Sequence, residues 1–278
     1  MKRLICLFLL GAMLLGGCAA ESSGGIAATT GPVYEFATRI CEGTGLELTL
    51  VVTDSVSCLH DYSLSVRQVK AVESADVVVL SGAGLEDFMS DLLSGAGSCI
   101  DASAGISLLS GEDGDDPHIW LSVPNAIAMA ENIYTSLARL YPDYSARMAE
   151  NYAALLAELQ ALDEYGREAL ANLRCREIIT FHDGFQYLAA EYGLTVLAAV
   201  EEESGSEASA AELKELVTLV QEHSLSAVFT ETNGSTAAAQ AISAETGVEI
   251  YTLDMALSSG SYFSSMTQNF DTLKEALG

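Results

Sequence analysis

The sequence predicts an α/β protein of two lobes with mainly parallel sheets, and three observations lead there. Apolar runs of strand length at 48–52, 77–80, 177–181, 195–200, 227–230 and 248–253 alternate with amphipathic stretches of helix length. The roughly 250 residues that follow a leader-like start suit two cores better than one. Between the two groups of strands, residues 142–173 repeat apolar positions every three or four residues, the period of a helix with one buried face.

The elements follow in chain order. Lys2 and Arg3 precede an apolar stretch at 4–15 and then Leu15-Gly16-Gly17-Cys18. That stretch is too short for a permanent membrane span, and small residues before a cysteine suit cleavage, so 1–17 reads as an export signal. The box is similar to that of bacterial lipoproteins, which implies a lipidated Cys18 at the head of a flexible tether at 18–26. An extracytoplasmic body held to the cell membrane by that anchor alone is therefore expected. Residues 27–141 form the expected N-terminal lobe, 142–173 the connecting helix and 174–278 the C-terminal lobe. Unbroken, the helix would span about 48 Å, long enough to cross the molecule rather than sit in one lobe. Pro142 suits its first turn, and Gly166 weakens its middle. A second helix is signalled by Ser209-Ala210-Ala211-Glu212, whose serine and glutamate can satisfy each other's free backbone N–H groups.

Charge narrows the function classes. The formal net charge is −27, and losing the leader removes two bases and no acid. Such a surface repels nucleic acid and anionic headgroups and concentrates cations. No GxxxxGK[ST] loop is present, so any ATP hydrolysis belongs to a partner. Gly82-Ala83-Gly84 lacks the third glycine of a dinucleotide fingerprint and reads as a turn. Cys41, Cys58, Cys99 and Cys175 contain no CxxC pair, and their three possible full pairings stay open.

Four histidines occur, and three of them, His60, His118 and His182, fall in polar turns beside apolar segments, as does Asp254. Three imidazoles and one carboxylate satisfy a divalent cation's demand for neutral nitrogen and anionic oxygen. Two of the four precede the 142–173 helix and two follow it, which puts the ion in the cleft between lobes. His223 closes the helix that starts near Ser209, where a partly positive ring complements the helix dipole, and it is left out of the site. A zinc hydrolase is the rival reading, but HExxH and GxSxG are absent and a fourth ligand would close the open position that catalysis needs.

The blocks HDYSLSVRQVKAVESADVVVLSGAGLEDFM, DPHIWLSVPNAIAMAENI, FHDGFQYLAAEYGL and TGVEIYTLD resemble the substrate-binding proteins of bacterial zinc and manganese ABC importers, the cluster A-I or zinc-binding-protein-A-like family. The resemblance implies two Rossmann-like lobes joined by the 142–173 helix, with His60, His118, His182 and Asp254 as metal ligands. It implies an ABC permease and its ATPase subunit as partners, a monomer, no catalysis, and Glu231 as an acceptor for an imidazole N–H. Relatives that favour manganese often carry glutamate at the third ligand, whereas this chain has His182, so Zn2+ is expected first and Mn2+ second. A metal-dependent adhesin or metallochaperone on the same scaffold is a further alternative. Leu59 and Met255 stand where the family commonly has proline.

Overall fold

A computed structural model describes residues 25–53, 59, 62–110, 114–200, 208–257 and 260–278. His60, Cys58 and Cys18, with the export signal and most of the tether, lie outside them. In chain order the elements are β1 (Ile26–Ala28), α1 (Gly31–Ile40), β2 (Leu48–Leu50), α2 (Val66–Glu73), β3 (Val77–Leu80), α3 (Ser90–Leu93), β4 (Ser98–Asp101), α4 (Val123–Leu140) and α5 (Ser145–Ala169). The second half adds β5 (Glu177–Thr180), α6 (Gln186–Tyr192), β6 (Thr195–Ala199), α7 (Ala210–Glu222), β7 (Ala227–Glu231), α8 (Ala237–Thr246), β8 (Glu249–Leu253) and α9 (Tyr262–Leu277). The strands form two four-stranded sheets, ordered β2-β1-β3-β4 and β6-β5-β7-β8, and every pairing is parallel. The two halves therefore share one strand order with no visible sequence repeat.

Central strands read as unbroken apolar runs because both of their faces are covered. Ile26, Ala28, Val77 and Val79 face a large core, while Ala27 and Val78 face a smaller one with Val51, Val72 and Met89. Ile178, Ala227 and Phe229 face the same large core from the second sheet, and Ile179 and Val228 pack outward on Leu216, Val217 and Val220. One hydrophobic core thus runs through both lobes.

The sequence predicts six strands, and eight are present among the described residues. Ile26, assigned to the tether, begins β1 and is buried, so the tether ends earlier than expected. β1 was missed because its three residues are short and small beside a Gly/Ser-rich stretch. β4 was missed because Ser98, Cys99 and Asp101 are exposed along a sheet edge, which leaves no apolar run to see.

The connecting helix also needs correction. Pro142–Tyr144 is a separate 3-10 turn, and α5 ends at Ala169 rather than at 173. Its end is fixed by Arg176, whose guanidinium donates to the carbonyls of Leu170 and Ala171, each at 3.0 Å, and to those of Tyr192 and Gly193 at the end of α6. One arginine thereby satisfies the free carbonyls of two helix ends. The helix packs on α1 and α4 of the first half and on α9 of the second. Gly166 does not break it; a Cβ there would lie 2.6–2.9 Å from the Phe270 ring of α9, and the glycine is what lets the helices approach. Ser209 and Glu212 form the expected capping box of α7. Among the described residues no helix is long and apolar enough to cross a membrane.

Gly82, Ala83 and Gly84 all carry positive φ, and this turn after β3 is pinned by Glu86. The buried Glu86 carboxylate accepts from Thr29 Oγ1 at 2.6 Å and from the backbone N–H groups of Ser81 and Gly82 at 2.8 and 3.0 Å. Burial pushes its carboxyl up to about 7, with the three donors acting against and Asp101 acting with the shift. The folded state therefore keeps a proton that the unfolded chain loses near 4.5. Stability from this group is complete below that pH and is lost as pH rises through about 7. Urea unfolding of wild type and Glu86→Gln should diverge between pH 4.5 and 7.5 by up to about 3 kcal/mol, the variant gaining relative to wild type as pH rises. A pH-independent difference contradicts this placement of the charge.

Candidate metal centre

Ligands in open parallel sheets gather outside the carboxyl ends of the strands, at the point where strand order reverses. In the second sheet that point lies between β5 and β7. His182 follows β5, and Glu231 ends β7 beside it, with His182 Nδ1 3.7 Å from Glu231 Oε2. Gly184 then turns the chain, and α6 starts at Gln186.

His118 arrives from the other lobe. Its loop folds back through a bridge between Ser110 and Asp115, and Asp116 N–H donates to Leu109 O at 2.8 Å. Asp116 Oδ1 accepts from the His118 backbone N–H at 2.9 Å and lies 2.8 Å from His118 Nδ1. That contact places the ring proton on Nδ1 and leaves the Nε2 lone pair free. Asp116 is buried, and its Oδ2 has no hydrogen-bond partner among the described residues. Beyond His118, a 3-10 turn at Ile119–Leu121 leads into α4, whose start is capped by Ser122 Oγ accepting from Asn125 N–H at 3.3 Å.

Tyr187 ties this loop to α6 of the other lobe. Its hydroxyl accepts from Leu109 N–H at 2.8 Å and donates to Asp116 O at 2.9 Å. Burial raises the phenol's pKa, so it stays a donor. Trp120, fully buried, donates from Nε1 to Met255 O at 2.7 Å, and Tyr262 of α9 donates to Trp120 O at 2.8 Å. The indole joins the loop carrying His118 to the loop after β8.

These supports bring His118 and His182 together. Their Nε2 atoms are 3.3 Å apart, the rings cross nearly at right angles with centroids 5.1 Å apart, and the residues are 3% and 8% exposed. Two nitrogens each bound to a tetrahedral zinc at the usual bond length would be separated by about 3.3 Å, so the pair fits one cation. Gly184 makes room for it. A Cβ there would fall 2.8 Å from His182 Cδ2, 3.2 Å from His118 Cδ2 and 2.5 Å from Met255 Cε.

Asp254 directly follows β8. Its Oδ1 accepts from Ala256 N–H at 2.8 Å and its Oδ2 from Ser265 Oγ at 3.0 Å, while Asn269 holds its backbone on both sides. Among the described residues no group of three or more His, Cys, Asp or Glu side chains is assembled for a metal, and His60 lies outside them. The structure thus unites His118 and His182 and holds Asp254 in its own hydrogen bonds. His223 stands apart on the surface at the end of α7, with Nδ1 2.9 Å from Glu177 Oε2. Cys41 is buried, and burial pushes its thiol up to about 12.

The signal for Asp116 in the sequence is its position across Pro117 from His118. Nothing in the sequence marked Tyr187.

The chain matches the family described as zinc-uptake complex component A, periplasmic, over residues 26–276. The zinc-binding lipoprotein AdcA of Streptococcus pneumoniae serotype 4 (strain ATCC BAA-334 / TIGR4) is 31% identical over 92% of this chain and 56% of its own length. The chain therefore spans little more than half of that relative. The high-affinity zinc uptake system protein ZnuA of Bacillus subtilis (strain 168) is 28% identical over 95% of this chain and 94% of its own. The crystal structure of the Zn(II)-bound ZnuA-like domain of Streptococcus pneumoniae AdcA superposes with a TM-score of 0.80 at 31% identity, covering 91% of this chain and 98% of that one.

Asp116→Ala is expected to lower zinc affinity by about 10- to 100-fold, the usual effect of losing the group that orients a ligating imidazole. Titration calorimetry with a zinc competitor checks it, and an unchanged affinity removes Asp116 from the site.

Proposed function

The chain belongs to the zinc-uptake complex component A family, and on that premise we propose that it captures Zn(II) outside the cytoplasm and delivers it to the permease of an ABC importer. The family is one of solute-binding proteins, and the metal is cargo rather than a tool for catalysis. The observation that carries the reading is the pair of buried imidazoles, one from each lobe, with Nε2 atoms 3.3 Å apart.

In this reading His118 and His182 supply two nitrogen ligands, and His60 and Asp254 complete the set. Asp254 would exchange its bonds to Ser265 and Ala256 for the metal, and Glu231 would orient His182. Three nitrogens and one carboxylate suit four-coordinate zinc, with Mn(II) as the alternative cargo. Cys18 is the proposed lipid anchor, holding a monomeric body near the permease and its ATPase subunit. The lobes are proposed to divide at the helix Ser145–Ala169.

Elemental analysis of the mature protein after zinc loading should give about one zinc per chain, as one four-ligand site requires. His118→Ala and His182→Ala should each weaken binding by roughly 100-fold or more, beyond the loss of an outer partner. His223→Ala should leave it unchanged. Zinc content near zero, or equal effects at all three histidines, would refute the assignment.

A further inference from the structure

Met255 brings its side chain close to the imidazole pair beside Gly184. It is 2% exposed, and its backbone carbonyl is held by Trp120 Nε1 at 2.7 Å. Its Cε, His182 Cδ2 and His118 Cδ2 all converge on the point that a Cβ of Gly184 would occupy, at 2.5, 2.8 and 3.2 Å. In each ring Cδ2 adjoins Nε2, so the methyl and the two ring edges that carry the Nε2 atoms gather around one point beside Gly184.

We propose that Met255 is a specificity residue that holds the site to four-coordinate metal and so favours Zn(II) over Mn(II). The proposal rests on the reading of His118 and His182 as zinc ligands. A methyl group has no lone pair to bind a cation and no hydrogen bond to offer a water. Set by the ligating edges, it denies a fifth or sixth oxygen donor a place beside the metal. Zinc is satisfied by four ligands, whereas manganese favours octahedral surroundings rich in oxygen. The neighbouring elements leave the methyl little room to withdraw, because Gly184 lies against it and Trp120 fixes its backbone.

The test uses the mature protein loaded with Co(II), whose visible d–d bands are intense in four-coordinate and weak in six-coordinate sites. The wild type should show the intense bands. Met255→Gln keeps the side-chain length and places an oxygen donor by the metal; it should lose most of that intensity, and its zinc-to-manganese affinity ratio should fall by about 10-fold or more. Met255→Leu keeps an apolar wall and should retain both the bands and the ratio. Weak bands in the wild type overturn the proposal without any variant. It is also overturned if Met255→Gln matches the wild type in both readouts, or if Met255→Leu shifts as far as Met255→Gln. A wild type that binds neither cobalt nor zinc instead refutes the ligand assignment beneath it, and the proposal falls with it.

Discussion

Two imidazole nitrogens from different lobes approach to 3.3 Å, and much of the structure around them can be understood as holding that approach. Lone pairs aimed at each other repel unless a proton or a cation lies between them. The surroundings keep the rings in place for either one. Asp116 holds His118 from behind, Glu231 lies beside His182 Nδ1, and Gly184 keeps the space between them clear. Preorganisation of this kind lowers the ordering that a bound cation must impose.

The supports of the pair cross the lobe boundary repeatedly. Tyr187 of one half holds the loop of His118 in the other, Trp120 reaches Met255, and Tyr262 returns to Trp120. Glu35 of α1 accepts from Tyr262 N–H at 2.6 Å, and Phe36 packs edge-on to the Tyr262 ring with centroids 5.2 Å apart. With a hydrophobic core shared by both halves, these bonds tie the placement of the imidazole pair to the fold as a whole. A loss at any one of them should be felt at the metal rather than only in local stability.

The fold was legible wherever burial leaves a pattern. Strands covered on both faces appear as apolar runs, and the capping box of α7 was readable because its two residues bond only to each other's turn. The short β1 and the exposed edge strand β4 carry no such pattern. The extent of the connecting helix was overread because periodicity continues past Ala169, whereas the stop depends on Arg176, whose reach to four carbonyls is a tertiary fact. At the site, the ligand-type residues were visible by their chemistry. Asp116 was hidden beside Asp115, which looks alike in sequence but is exposed, and Tyr187 acts through a hydroxyl seventy-one positions from Asp116.

The acidic surface suits such a site, since a net charge of −27 raises the local concentration of cations before selection begins. Selection then falls to donor type and to the space the ligands leave. The most direct test is anomalous diffraction at the zinc edge from zinc-loaded crystals of the mature protein. One strong peak bonded to Nε2 of both His118 and His182, with His60 and Asp254 completing the shell, is the expected result. A peak placed elsewhere, against the acids of the 112–116 loop or a cysteine thiol, with the two imidazoles unengaged, would contradict it.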